Sequence, residues 1–229
     1  MGVHDGHRER LRQQFLEHGL ESMNDLNALE LLLFYAIPRR DTNELAHALL
    51  DQFGTIDRVF DATEQELCAV PGIGPQAASL ILLVPQMYKK SKVSAASRTQ
   101  ILDTPKAAAE YLIPRFYNEG NEMALLVCLD SKKRVICTEI LGKGAVGCVE
   151  VNVRRAMELV LRHKATYAIL SHNHPDGQLK SSPADDHLTK RLDAAFRNIN
   201  VTLVDHIIVA GDKYFSYERA GVMNTYHLF

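Results

Sequence analysis

Two histidines, a serine and an aspartate stand close together at residues 171–186, which read SHNHPDGQLKSSPADD. His172 and His174 follow a short apolar run, residues 165–170, that is typical of a buried strand. Side chains alternate in direction along a strand, so both imidazoles point to the same side. The spacing therefore predicts that one metal ion can receive both rings.

The sequence after His174 favours a turn and then a helix. Proline, aspartate and glycine follow the histidine directly and indicate the turn. Ser182 before Pro183 is typical of a helix N-terminus with serine as the N-cap. Asp185 falls in the first helical turn. A loop of seven residues separates His174 from Ser182 and is long enough to fold the helix end over the strand end. Asp185 is therefore predicted as a third ligand.

Two imidazole nitrogens and one carboxylate oxygen are a typical ligand set for zinc, and three protein ligands leave a fourth position for water. Zinc lowers the pKa of such a water to about 7 and polarises a carbonyl oxygen, which suits amide hydrolysis. We therefore expect Zn²⁺ at His172, His174 and Asp185, in preference to iron or manganese. The Ser182 hydroxyl is expected to donate to an oxyanion, to cap the helix, or to do both.

This segment reads H-N-H, seven residues, and then S-P-A-D, which is similar to the H-x-H-x(7)-S-x-x-D signature of the JAMM (MPN-plus) metalloproteases. Within that group it looks like the RadC family, because of the wording HNHP and the glycine that follows. This resemblance implies a zinc-dependent, isopeptidase-like fold with a peptide or protein substrate. It implies that His172, His174 and Asp185 are the ligands and that Ser182 assists the oxyanion. It also implies a glutamate upstream as the general base.

The JAMM glutamate precedes a strand upstream of the histidines, and Glu122, directly before MALLVCL, matches that position best. Glu119, Glu139 and Glu150 are the alternatives in the same region. A carboxylate in this role takes a proton from water and delivers it to the leaving nitrogen. His206, inside a predicted strand, is expected to pack in the core or behind the metal.

Residues 1–90 are predicted to form an all-helical domain, and they also look like the N-terminal domain of RadC proteins. Apolar periodicity and capping signals indicate helices. The predicted helices lie at residues 4–17, 25–35 and 44–52, near Thr63, and from Pro75 to about Lys89. Glu66 stands in capping-box spacing after Thr63 and supports the start of the fourth helix.

Gly72, Ile73 and Gly74 lie between the last two of these helices and look like the turn of a helix-hairpin-helix module. Such a turn offers backbone N–H groups to a nucleic-acid phosphate in many proteins. The following helix has no basic residue before Lys89, and the first ninety residues carry more acidic than basic side chains. Two interpretations of this turn therefore remain: these three residues bind DNA, or the hairpin only packs within the helical domain.

Residues 91–104 are rich in Ser, Ala, Lys and Arg and are predicted as an interdomain linker. Residues 105–229 alternate strand and helix patterns, and the resemblance implies that they form a JAMM/MPN-like metal-binding domain. The fold class expected for the whole chain is α+β or α/β, an all-helical domain followed by an α/β sandwich with a mixed β-sheet. The predicted strands of the sandwich are residues 123–129, 134–141, the strand before the histidines, 201–209 and 214–217.

The composition is that of an ordinary globular protein, with 229 residues, 46% hydrophobic and 24% charged. No apolar run approaches membrane-spanning length and the N-terminus lacks a signal-peptide core, so we expect a cytoplasmic protein without a membrane partner. The four cysteines form no CxxC pair and are expected to be reduced thiols. The other histidines show no ligand spacing, and nothing indicates an oligomeric state.

Two functions remain open from the sequence. The first is a metallohydrolase of peptide or isopeptide bonds, with zinc, Glu122 and Ser182 as its catalytic groups. The alternative is a DNA-associated interaction protein, linked to repair or recombination by its resemblance, in which the metal domain is a scaffold or a nuclease. A single metal position without a carboxylate cluster suits amide hydrolysis better than phosphodiester cleavage.

Overall fold

The computed structural model describes residues 3–38, 40–96, 101–144 and 151–223. The chain divides into two compact units, Met1–Tyr88 and Lys89–Phe229. Within the described ranges, no helix combines the length and the hydropathy that a membrane span requires.

The first unit is helical. Its elements are α1 (Val3–His18), α2 (Asp25–Ala36), α3 (Asn43–Phe53), α4 (Ile56–Asp61), α5 (Glu64–Ala69) and the greater part of α6 (Pro75–Ala96). The predicted capping box is confirmed, since Glu66 N donates to Thr63 Oγ1 at 3.3 Å and Thr63 N donates to Glu66 Oε2 at 2.8 Å. The short helix α4 was not predicted. It is only 6 residues long, so the helical spacing of Ile56, Val59 and Phe60 is too short to indicate a helix.

The hairpin between α5 and α6 is part of the first unit's core. Val70 and Ile73 are buried there, and Ile73 N donates to Val70 O at 3.0 Å to close the turn. Gly72 between them has a φ of 92°, in the region that only glycine adopts readily. A Cβ at this position would lie 2.7 Å from Cδ2 of the buried Leu45. The hairpin therefore requires glycine for both backbone conformation and space.

The linker predicted at residues 91–104 differs from the structure at both ends. Helix α6 continues to Ala96, because lysine and alanine favour a helix as readily as a flexible segment. Ile101 forms a bridge with Arg134, and Leu102 is buried with its N–H donating to Lys133 O at 2.8 Å. Residues 97–100 lie outside the described ranges.

The second unit contains a mixed five-stranded sheet, which confirms the expected fold class. Its elements are α7 (Pro105–Leu112), β1 (Met123–Leu129), β2 (Val135–Lys143), α8 (Val153–Arg162), β3 (Tyr167–Asn173), α9 (Pro183–Arg197), β4 (Thr202–Ala210) and β5 (Lys213–Ser216). The strand order is β2-β1-β3-β4-β5. β3 and β4 are parallel, and the other neighbours are antiparallel.

The sheet separates two apolar clusters, because neighbouring side chains on each strand face opposite ways. Helices α8 and α9 cover one face, where Leu126 of β1 packs with Leu192 of α9. Helix α7 covers the other face, where Val127 packs with Leu112. Both faces of the central strands are therefore buried, and the ends of those strands are left to form a polar site.

We predict that Gly72→Ala lowers the free energy of unfolding of the first unit by about 2 kcal/mol, because alanine is strained at this φ and its Cβ overlaps Leu45. The change should appear as a lower denaturation midpoint. Gly74→Ala is the matched control, since a Cβ there meets nothing within 4 Å. It should cost less than about 1 kcal/mol, the preference of a helix N-cap for glycine over alanine. Equal effects of the two variants would contradict the steric explanation.

Candidate metal centre

The structure brings His172, His174 and Asp185 together where β3 ends and α9 begins. The Nε2 atoms of the two histidines are 2.9 Å apart. Asp185 Oδ1 lies 3.2 Å from His172 Nε2, and Asp185 Oδ2 lies 3.8 Å from His174 Nε2. The alternation expected along β3 is thus confirmed, and the loop after it returns α9 over the strand end, as predicted.

Asp185 is held by a capping box at the start of α9. Ser182 N and Ser182 Oγ both donate to Asp185 Oδ2, at 2.8 and 2.7 Å, while Ser182 Oγ accepts from Asp185 N at 3.2 Å. One carboxylate oxygen is therefore occupied by the cap. The other, Oδ1, is directed to His172.

His174 has its ring orientation set by the loop that follows it. Its Nδ1 lies 2.8 Å from the backbone carbonyl oxygen of Gln178. A carbonyl oxygen only accepts, so Nδ1 carries the hydrogen. With this tautomer, Nε2 is free to serve as a ligand atom, and it faces His172 and Asp185.

The Thr189 hydroxyl determines the hydrogen positions behind His172. Its one hydrogen is donated to the backbone carbonyl of Asp185, 2.6 Å away. Thr189 Oγ1 therefore accepts from His206 Nδ1, which is also 2.6 Å away. His206 Nε2 then has no hydrogen and accepts from His172 Nδ1 at 2.8 Å. His172 Nε2 is consequently left with its lone pair directed at His174 and Asp185.

Burial keeps the rings of this relay neutral. Burial lowers the pKa of His172 to about 4, against an opposing effect of the Asp185 carboxylate. Burial also holds the pKa of His206 well below its usual value, and the neighbouring His172 and His174 add to this. Tyr217 stacks on His206 with ring centroids 4.7 Å apart and closes its other side. Each ring therefore carries a single hydrogen at neutral pH, as the relay requires.

These contacts leave three acceptor atoms facing a common point with no hydrogen among them. They are Nε2 of His172, Nε2 of His174 and Oδ1 of Asp185. A proton can join only two of them, whereas a metal ion can take all three. Ligand atoms around a tetrahedral zinc are about 3.3–3.4 Å apart. The observed separations of 2.9, 3.2 and 3.8 Å lie around that value, so the residues fit a zinc-sized cation.

Comparison with known proteins agrees with this geometry. Residues 102–222 match the family model of the RadC-like JAB domain, and residues 6–79 match the model of the UPF0758 N-terminal region. The chain belongs to the RadC family. The resemblance found in the sequence is thereby confirmed, and the second unit of this RadC chain is a member of the JAMM/MPN superfamily.

Relatives of this RadC chain cover nearly its full length. Three are UPF0758 proteins, from Burkholderia cenocepacia strain HI2424 and from Burkholderia orbicola strains MC0-3 and AU 1054. Each is 32% identical over 217 residues, which are 95% of this chain and 84% of the relative.

Glu122 lines the same cleft as the three candidate ligands of the RadC domain, a cavity of about 560 Å³. β1 runs antiparallel to β3 with Ala124 opposite His172. Glu122, two residues before Ala124, therefore faces the same side of the sheet. Among the glutamates that the structure describes, no other lines this cleft.

The alternative glutamates have other surroundings. Glu119 forms ion pairs with Lys89 and Lys143, and Glu139 lies 3.8 Å from His163. Glu150 lies outside the described ranges. The assignment of Glu122 as general base stays a prediction, with its position in the cleft in its favour.

Asn173 positions the segment that carries Glu122, a role that the sequence did not reveal. Its side chain points away from the candidate ligands, as alternation predicts. Asn173 Oδ1 accepts from Met123 N at 2.7 Å, and its Nδ2 donates to the carbonyls of Glu119 and Asn121 at 3.2 and 3.1 Å. The chain before β1 is thus tied to the end of β3. Thr189 was also missed, because His206, the ring that it orients, lies on a different element, β4.

The predicted nucleic-acid contact at Gly72, Ile73 and Gly74 stays a prediction. Gly72 and Gly74 allow the tight turn before α6, while Ile73 is buried and packs in the first unit. Any contact there would use backbone N–H groups and not the Ile73 side chain.

We predict that Thr189→Val lowers the free energy of unfolding of the RadC domain by about 1–3 kcal/mol, because it leaves the buried hydrogen on His206 Nδ1 without its acceptor. Thr189→Ser, which keeps the hydroxyl, is the control and should retain the ring hydrogens. Nitrogen-15 NMR of the wild-type rings should find His172 and His206 both protonated at Nδ1. A hydrogen on Nε2 of His206 would contradict the relay.

Proposed function

We propose that His172, His174 and Asp185 bind a zinc ion and that this RadC chain is a zinc-dependent hydrolase of peptide or isopeptide bonds. The observation that carries the proposal is the convergence of three acceptor atoms whose hydrogens are all directed elsewhere. Mixed nitrogen and oxygen ligands suit zinc. The relation to JAMM/MPN proteins supports the same choice.

A bound zinc supplies activation of a water molecule and polarisation of a substrate carbonyl. The residues of the chain supply the remaining steps. The Glu122 carboxylate takes a proton from the attacking water and delivers it to the leaving nitrogen, so that the amine departs neutral. Its place in the cleft beside the candidate ligands supports this role.

Ser182 is the candidate donor to the oxyanion that forms when water attacks the carbonyl. Its hydroxyl hydrogen is directed to Asp185 Oδ2 in the substrate-free arrangement. The hydroxyl must therefore rotate toward the cleft when an oxyanion forms. Ser182 N continues to hold Asp185 Oδ2 during that rotation, so the carboxylate keeps its position.

The cleft suits a polypeptide substrate. Its volume of about 560 Å³ is within the range of ligand sites in proteins, about 300–1,000 Å³. Lys180, His187 and Arg191 add basic side chains to its lining. A segment with acidic residues near the scissile bond would complement them.

Metal analysis tests the proposed centre. The purified or zinc-reconstituted protein should contain about one zinc per chain, and His174→Ala and Asp185→Asn should lose most of it, since each removes a ligand. Asparagine at 185 keeps an acceptor for the cap, so loss of zinc there would not be due to loss of α9. His187→Ala, which changes the cleft lining outside the ligand cluster, is the control and should keep its zinc. Absence of zinc from the reconstituted wild type would remove the proposal.

The role of Glu122 has a separate test. Glu122→Gln should retain zinc but hydrolyse peptide or isopeptide substrates about 10²–10⁴-fold more slowly, because glutamine cannot transfer the proton. The assay is turnover by zinc-loaded protein of the best substrate in a screen of internally quenched peptides and branched isopeptides. Glu119→Gln serves as the matched variant and should retain activity within a few fold. If the two variants behaved alike, Glu122 would not be the base.

A further inference from the structure

Three more side chains with metal-binding atoms meet at the edge of the second unit's sheet. Cys137 and Glu139 lie two residues apart on β2, and His163 follows α8 as its C-cap. Their ligand atoms all lie within 4.8 Å of one another, and His163 Nε2 is 3.8 Å from Glu139 Oε1. None of the three lines the cleft described above.

The strand pairing explains why these groups share one side of the sheet. Cys137 lies opposite Cys128 of β1, and Glu139 lies opposite Leu126. Leu126 and Cys128 both face α8 and α9, so the two β2 side chains face the same helices. The end of α8 then brings the His163 ring to them.

Cys137 has a buried thiol as its neighbour across the strand pair. Cys128 lies opposite it on β1 and is fully buried. Burial raises the pKa of the Cys137 thiol, and the adjacent thiol and backbone N–H of Cys128 oppose that rise. A metal ion binds the thiolate, so binding at this sulfur releases its proton.

We propose that Cys137, Glu139 and His163 bind a second divalent cation of the zinc class. A thiolate, an imidazole and a carboxylate together suit zinc better than magnesium or calcium. Nitrogen and oxygen ligands around a tetrahedral zinc are about 3.3–3.4 Å apart, and the His163 Nε2 to Glu139 Oε1 distance of 3.8 Å is close to that value. Three ligands leave one position for water at this half-exposed place.

The second ion joins β2 to the end of α8. Among the strands that the structure describes, β2 is at the edge of the sheet and pairs with β1 alone, and edge strands are the least supported part of a sheet. A cation that binds only the folded form stabilises it in proportion to its concentration. The site therefore acts on stability, and it does not depend on the hydrolytic activity proposed for the cleft.

Cobalt binding tests the second site. Co²⁺ replaces zinc as the probe, because a cobalt thiolate absorbs in the near ultraviolet through charge transfer, whereas the histidine and aspartate ligands of the first centre cannot produce that band. The full chain carrying His174→Ala, kept reduced by a non-thiol reductant, should show the band on addition of Co²⁺. Zinc should abolish the band by displacement and raise the melting temperature.

Matched variants in the same background identify the ligands. Cys137→Ser should lose the band entirely, and His163→Asn and Glu139→Gln should weaken cobalt binding. Cys68→Ser, which changes a half-buried thiol of the first unit, is the control and should leave the band intact. Persistence of the band in Cys137→Ser would overturn the proposal. So would absence of the band from reduced protein, even if the first centre binds zinc as proposed.

Discussion

The single hydrogen of the Thr189 hydroxyl is the constraint on which the polar centre of this protein depends. It is donated to the Asp185 carbonyl. The ring hydrogens of His206 and His172, which follow in the same chain of hydrogen bonds, can then each lie only on Nδ1. The relay joins α9, β4 and β3, so the orientation of one ring is determined by three elements. Because all of these groups are buried, reversing any one of them would leave polar atoms without partners.

Asp185 has two functions that reinforce one another. As the third residue of α9 it completes the capping box with Ser182, and a carboxylate there is also favoured by the helix dipole. The cap occupies Oδ2 and leaves Oδ1 directed to His172. The same hydrogen bonds that begin the helix thus position the candidate ligand. Formation of the helix and positioning of the candidate ligand are in this way one event.

The parts that could be predicted from the sequence depend on contacts between residues close in the chain. The alternation of His172 and His174 on β3 and the cap formed by Ser182 with Asp185 are of this kind. The roles of Thr189 and Asn173 could not be predicted, because the groups that they position, His206 and the segment before β1, lie elsewhere in the chain. A polar residue in a helix or strand also has no distinguishing pattern.

The fold divides in the same manner. The mixed sheet follows from strand and helix periods that are readable along the chain. The later end of α6 and the short α4 were missed, because lysine, serine and alanine at residues 91–96 suit a helix as well as a linker, and α4 is only 6 residues long. Where a segment has nearly equal preference for a helix and for a loop, its tertiary packing determines which one forms. The residues of the segment alone do not reveal that packing.

The position of the centre follows from the connection between β3 and β4. These strands are parallel and joined through α9, so the carboxyl end of β3 and the start of α9 meet at one edge of the sheet, the usual place for a site in such an arrangement. β1 runs the other way and begins at that edge, with Ala124 opposite His172. A slip of one residue in this pairing would turn Glu122 to the opposite face. Asn173 opposes such a slip through its three hydrogen bonds to the first residue of β1 and to the segment before it. The Asn173 side chain faces away from the cleft, yet it holds the Glu122 carboxylate on the side of the sheet where the cleft lies.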